Sequence, residues 1–93
     1  MPLFIITCID KPDSLPIRLA NREAHLAYAR GWGDRMLVGG PLLSDDGETM
    51  RGSMLILDVA DRAEADAFLA GDPYGQAGLF QSVSVQRYKK VLP

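Results

Sequence analysis

The sequence predicts an α+β domain of order βαββαβ, built on one four-stranded antiparallel sheet. Three observations lead there. Four short runs rich in β-branched and aromatic residues are interleaved with two stretches of helical periodicity, in the order strand, helix, strand, strand, helix, strand. The runs at 3–9 and 51–59 are apolar at both alternating sets of positions, which marks central strands covered on two faces. The runs at 35–43 and 82–91 carry Pro41 in one and Arg87, Lys89 and Lys90 in the other, the marks of edge strands. Together these give the ferredoxin-like strand order 4-1-3-2. Two helices cover only one face of such a sheet, so the other requires a partner, and a second copy of the chain is the simplest one.

Each element has its own justification. "LFIITCI", 3–9, is too short for a stable helix and stops at the turn "DKPDS". Residues 14–33 have no glycine before Gly31, with Ser14 or Asp13 as N-cap and Pro16 tolerated in the first turn, and are read as the first helix. "RMLVGGPLL" is the second strand. The polar loop 44–51, which contains Gly47, is expected to be the most mobile internal segment. In "RGSMLILDV", Met54 and Ile56 share one face and Leu55, Leu57 and Val59 the other. Asp61 and Glu64 resemble a capping box that opens a helix through Ala65, Phe68 and Leu69, closed by Gly71. "SVSVQRYKKV" is the last strand.

At 93 residues, 47% hydrophobic and 24% charged, the chain is expected to form a single domain, 1–93, with a modest core. A net charge of −2 offers no basic field for a polyphosphate, so nucleic acid is disfavoured as a partner. The lone Cys8 is incompatible with an internal disulfide and fits a reducing compartment as a small apolar filler. One cysteine and one histidine make a transition-metal site within a protomer improbable, and no metal or other cofactor is expected. With no apolar run long enough to span a bilayer and no secretory start, the expected location is the cytoplasm, away from membranes.

The single histidine, His25 in "NREAHLAYARGW", is the residue most able to move a proton. Helical spacing groups it with Leu15, Leu19, Arg22, Leu26 and Ala29, with Trp32 beside them, and their bulk marks this as the inward face. A second sector, Ile17, Ala20, Ala24 and Ala27, is apolar too. A histidine at such a rim is ordinarily a hydrogen-bonded packing residue. Arg22, one turn earlier, puts positive charge beside it and can bind an anion, although a solvated arginine explains that position equally well. In "GDPYG", Asp72 can cap a short helical turn with Pro73 at its first position, or orient a histidine, or do both. Gly39 and Gly40 permit close backbone approach to a ligand, and Ser53 offers one hydroxyl without a nucleophile elbow around it. Tyr74, Trp32 and Phe80 are candidate pocket walls that core packing explains as well.

The ordered set "LFIITCIDKPDSLPIRLANREAHLAYA", "LVGGPLL", "GSMLILDV", "DPYGQAGLF" and "VSVQRYKKV" resembles the YCII-related (YciI-like) domain family over essentially the whole chain. The resemblance implies a dimeric α+β barrel, two sheets packed face to face through their helix-free sides, related in architecture to muconolactone isomerase. It implies a site built around a histidine and an aspartate, which carry over to His25 and Asp72. The activity known within the family is a dehydrochlorinase of chlorinated hydroxyquinols. The expected function is a cofactor-independent lyase or isomerase acting on a small cyclic or aromatic organic molecule through proton transfer, with Arg22, Gly40, Ser53 and Tyr74 as substrate contacts. The alternative is a non-catalytic dimeric module that binds a small metabolite or another protein.

Overall fold

The computed structural model describes residues 2–93. Its elements are β1 (Leu3–Asp10), α1 (Leu15–Arg30), β2 (Met36–Leu43), β3 (Met50–Asp58), α2 (Arg62–Gly71), α3 (Pro73–Gln76) and β4 (Phe80–Tyr88), with a short 3-10 turn over Gly33–Arg35. The sheet runs β2-β3-β1-β4, every neighbouring pair antiparallel, which is the expected order read from the other edge. β1 and β3 are central because each carries apolar side chains on both faces, and Pro41 sits harmlessly on the β2 edge.

Register decides which residues meet the helices. Phe4, Ile6 and Cys8 pair with Leu57, Leu55 and Ser53, and all six are buried beneath α1 and α2 together with Val59, Ala65, Phe68 and Leu79. The opposite face carries Ile5, Thr7, Met54, Ile56 and Val38, none of them fully buried.

The caps show how local chemistry sets the boundaries. Asp61 accepts a hydrogen bond from the Glu64 N–H at 3.0 Å, while the Glu64 carboxylate accepts from the Ala60 N–H at 3.0 Å, a capping box displaced by one residue on its return arm. Ser14 precedes α1, but its hydroxyl donates to the Lys11 carbonyl at 2.6 Å and does not cap the helix. α1 ends at Arg30, three residues short of the expected 33, because the chain tightens at Gly31 and then turns at Gly33 with φ +61°. Gly71 does end α2, and there a Cβ would overlap the Tyr28 ring and hydroxyl, which donates to the Phe68 carbonyl at 2.9 Å. That contact holds α1 against α2.

Three further expectations need correction. The inward face of α1 is not the one its bulk suggests: Leu15 and Leu19 are exposed, at 39% and 55%, while Arg18 and His25 are the helix's buried residues. Hydrophobic bulk misleads because α1 turns a charged side chain inward, where Arg18 is hydrogen-bonded to Asp10 and Ser53. The connection after β2 is shorter than expected, since β3 already begins at Met50, and it is internally tied: Ser44 N–H donates to the Thr49 carbonyl at 2.8 Å, and Asp46 accepts from the Ser44 hydroxyl and the Glu48 N–H. β4 spans 80–88 and not 82–91, because its pairing with β1 continues past Ser82 to Phe80 through a bulge opposite Asp10 and ends at Tyr88, opposite Leu3.

Candidate active site

Between α1 and the β2–β3 half of the sheet lies a cavity of about 390 Å³, within the usual range for small-molecule sites. His25, Arg22, Gly40, Ser53 and Tyr74, five of the six residues singled out from the sequence, line it. The sixth, Asp72, lies behind the wall with no exposed surface. Leu26, Met36, Met50 and Leu55 supply apolar lining. Trp32 and Phe80 do not: Trp32 packs edge-on to Phe68 in the core, and Phe80 meets the edge of Tyr74.

Asp72 holds two posts at once. As N-cap of α3 its Oδ1 accepts the Tyr74 N–H at 3.0 Å, and the same oxygen lies 2.8 Å from His25 Nδ1. An ionised carboxylate can only accept, so with Asp72 as the carboxylate the proton between the two side chains sits on Nδ1. Nε2 is then the basic nitrogen. It makes no hydrogen bond among the described residues, and His25 faces the cavity. The α3 turn also brings the Tyr74 ring against the imidazole, with centroids 4.0 Å apart and planes 13° from parallel. Imidazole orientation is therefore fixed from two sides, by a hydrogen bond and by stacking.

Sequence reasoning missed the residues beside this pair. Arg18 is 2% exposed and donates through Nε and Nη2 to both oxygens of Asp10, at 2.7 and 3.0 Å, and through Nη2 to the Ser53 hydroxyl at 2.9 Å. Its guanidinium carbon lies 4.6 Å from the Tyr74 ring centroid. Burial works against the Arg18 charge, but the hydrogen bonds and charge of Asp10 outweigh it and raise its pKa above that of an ordinary arginine. Burial raises the Tyr74 phenol above the usual range, opposed by the nearby positive charges of Arg18 and Arg22. Two signals were available: Arg18 precedes His25 by seven residues and so shares its helix face, and Asp10 continues the inward alternation of Phe4, Ile6 and Cys8.

Cys8, beneath the site, is fully buried, and desolvation with the neighbouring Asp72 and Asp10 charges pushes its thiol up to about 12. It is therefore an inert filler at neutral pH. Among the described residues, no three His, Cys, Asp or Glu side chains are grouped to hold a metal ion, and no helix is long and apolar enough to cross a membrane.

With this geometry in view, comparison with known proteins is direct. The profile of the YCII-related domain matches residues 2–89. The chain belongs to the YCII-related domain family. Protein YciI of Escherichia coli O6:H1 is 38% identical over 96% of this chain and 98% of its own length, and a Haemophilus influenzae relative is 35% identical over 95% and 97%. Among solved structures, 5-chloro-2-hydroxyhydroquinone dehydrochlorinase from Burkholderia phenoliruptrix, in complex with 2,5-dihydroxybenzoquinone, superposes on this YCII-related chain with TM-score 0.87 at 40% identity, covering 94% of this chain and 93% of that one. An antibiotic biosynthesis monooxygenase, 17% identical with TM-score 0.61 over 99% and 100%, shares the fold alone.

Proposed function

We propose that this YCII-related domain is a small-molecule lyase or isomerase in which His25 is the general base, Asp72 orients it, and a small cyclic or aromatic substrate occupies the cavity above them. The observation that carries this reading is the buried 2.8 Å contact between His25 Nδ1 and Asp72, with the remaining imidazole nitrogen free at the cavity wall. A base held in one tautomer and one orientation spends no reorganisation when it takes a proton, and the adjacent carboxylate stabilises the imidazolium that forms. Arg18 and Ser53 stand where they can receive negative charge developing on a substrate oxygen. Dehydrochlorination suits this apparatus. One hydroxyl proton moves to the chlorine-bearing carbon as the ring ketonises, a second hydroxyl proton passes to the base as chloride departs with the carbon–chlorine bonding pair, and the net loss of HCl leaves a hydroxyquinone with no oxidant or reductant required.

The reading includes a homodimer. Ile5, Met54, Ile56 and Val38 on the helix-free sheet face form an apolar surface that a second copy would cover, leaving both cavities on the outer, helical sides of the paired sheets.

Chloride release from 5-chloro-2-hydroxyhydroquinone tests the assignment. The wild-type protein should accelerate it, and His25→Asn should lower the rate on the order of 10²- to 10⁴-fold with little change in melting temperature. Equal rates in both proteins would remove His25 from the chemistry.

A further inference from the structure

Acidic side chains outnumber basic ones in the chain, twelve to ten, yet three arginines and no carboxylate line the cavity. Arg18 is neutralised by Asp10. Arg22 and Arg30 are different: neither has an ion pair or hydrogen-bond partner among the described residues, whereas Arg35 and Arg62 are paired with Glu64 and Asp66. They stand eight residues apart on α1 with Leu26 midway, so all three project from one stripe of the helix along the cavity mouth, about 12 Å from end to end. Two long-stemmed guanidinium groups flanking an apolar floor leave the cavity with uncompensated positive charge. Asp72 does not offset this at the mouth, because it is enclosed behind His25 and Tyr74.

We infer that the site selects organic anions, ring compounds that enter already ionised at an acidic enol, phenol or carboxyl group, and that Arg22 and Arg30 are the residues that select them. This rests on the small-molecule reading of the site and adds the charge of its ligand. Solvated arginines on a helix face would account for exposure alone. They would not account for both standing at the mouth of one cavity that has no acidic lining. The positive mouth would also draw an anion in, an effect that salt weakens. A deprotonated ring oxygen suits the base beyond it, because only a carbon-bound or second hydroxyl proton then remains for His25 to move.

Calorimetric titration with two matched probes tests the inference. 2,5-Dihydroxybenzoquinone is a vinylogous acid, ionised at neutral pH, and 2,5-dimethoxybenzoquinone has the same ring and cannot ionise. Wild-type protein should bind the dihydroxy compound more tightly. The Arg22→Gln/Arg30→Gln variant should weaken that binding on the order of tenfold, the worth of two partly exposed charge contacts, and leave the dimethoxy compound within about twofold. Salt at about 0.5 M should reproduce the loss in wild type and have little effect on the variant. Absence of binding of the dihydroxy compound to wild type, or binding that the double variant and salt leave unchanged, would overturn the inference. His25→Asn separates the two readings. It should retain the anion preference while losing proton transfer, so a variant that keeps both refutes only the catalytic reading, and a wild-type protein that moves protons with no dependence on either arginine or on salt refutes only this one.

Discussion

Replacing Arg18 with Met keeps most of the side-chain volume and removes the charge that answers Asp10. Both members of that pair are shielded, with side chains 3% and 6% exposed, and three hydrogen bonds hold the guanidinium between β1 and β3. Removing one partner of a buried ion pair leaves the other charge uncompensated, at a cost of about 3–5 kcal/mol. Arg18 also lines the cavity, where water can reach the vacated space, so the lower end, about 3 kcal/mol, is the appropriate figure. For a domain of this size each kcal/mol moves the melting temperature by about 4–8 °C, so Arg18→Met should melt about 12–24 °C below wild type. Asp10→Leu combined with Arg18→Met should recover much of that loss, since apolar replacement of both members leaves no buried charge. Circular-dichroism melts of the two single variants, the double variant and wild type measure the coupling directly. Should Arg18→Met melt within about 4 °C of wild type, the pair is behaving as a surface salt bridge and the buried network described here is wrong.

Other outcomes follow from particular contacts. Ile56→Lys places a charge on the helix-free face without touching the helix-side core, and light scattering should find a dimer for wild type and a monomer for the variant; a wild-type protein that is monomeric at micromolar concentration would contradict the proposed pairing of sheets. The Ser44 hydroxyl and Glu48 N–H that donate to Asp46 hold its carboxyl below the usual aspartate range, so the turn's contribution is present above the unfolded-state pKa and disappears as pH falls through the folded-state value. Amide exchange at Glu48, corrected for intrinsic rate, should therefore speed up in acid, and an unchanged protection factor would count against that hydrogen bond. Because burial pushes the Cys8 thiol to about 12, iodoacetamide at pH 8 should label it only as fast as the protein opens, and rapid labelling of the native state would contradict its enclosure.

The sheet was legible because strands announce themselves by period two: the two-faced apolar runs around Ile6 and Leu55, and the proline on β2, suffice to order four strands. Five of the cavity residues and the buried aspartate were also legible, since a lone histidine and a capping aspartate are conspicuous in themselves. The helix face was not. Bulk argued for Leu15 and Leu19 pointing inward, whereas the Arg18–Asp10–Ser53 network turns α1 so that a charged side chain is buried and two leucines meet solvent. A hydrophobic periodicity has no means of registering an ion pair whose partner lies eight residues away on another element. Asp72 read from the residues as a cap, a histidine's partner or both, and only the family resemblance favoured its meeting with His25, 47 residues away, because register and helix docking create that contact.

Proton transfer by His25 is the central claim, and hydrogen–deuterium exchange on a bound ring is its most direct measurement. In deuterated buffer, proton NMR follows the loss of the ring C–H signal of 2,5-dihydroxybenzoquinone as that hydrogen is replaced, a half-reaction that requires a base but no leaving group. Wild-type protein should accelerate the exchange, His25→Asn should return it to the uncatalysed rate, and Asp72→Asn should fall between them, because asparagine still caps Tyr74 but supplies no charge to stabilise imidazolium. Exchange that is no faster with wild-type protein than in buffer, although the compound binds, would contradict the assignment of His25 as a general base.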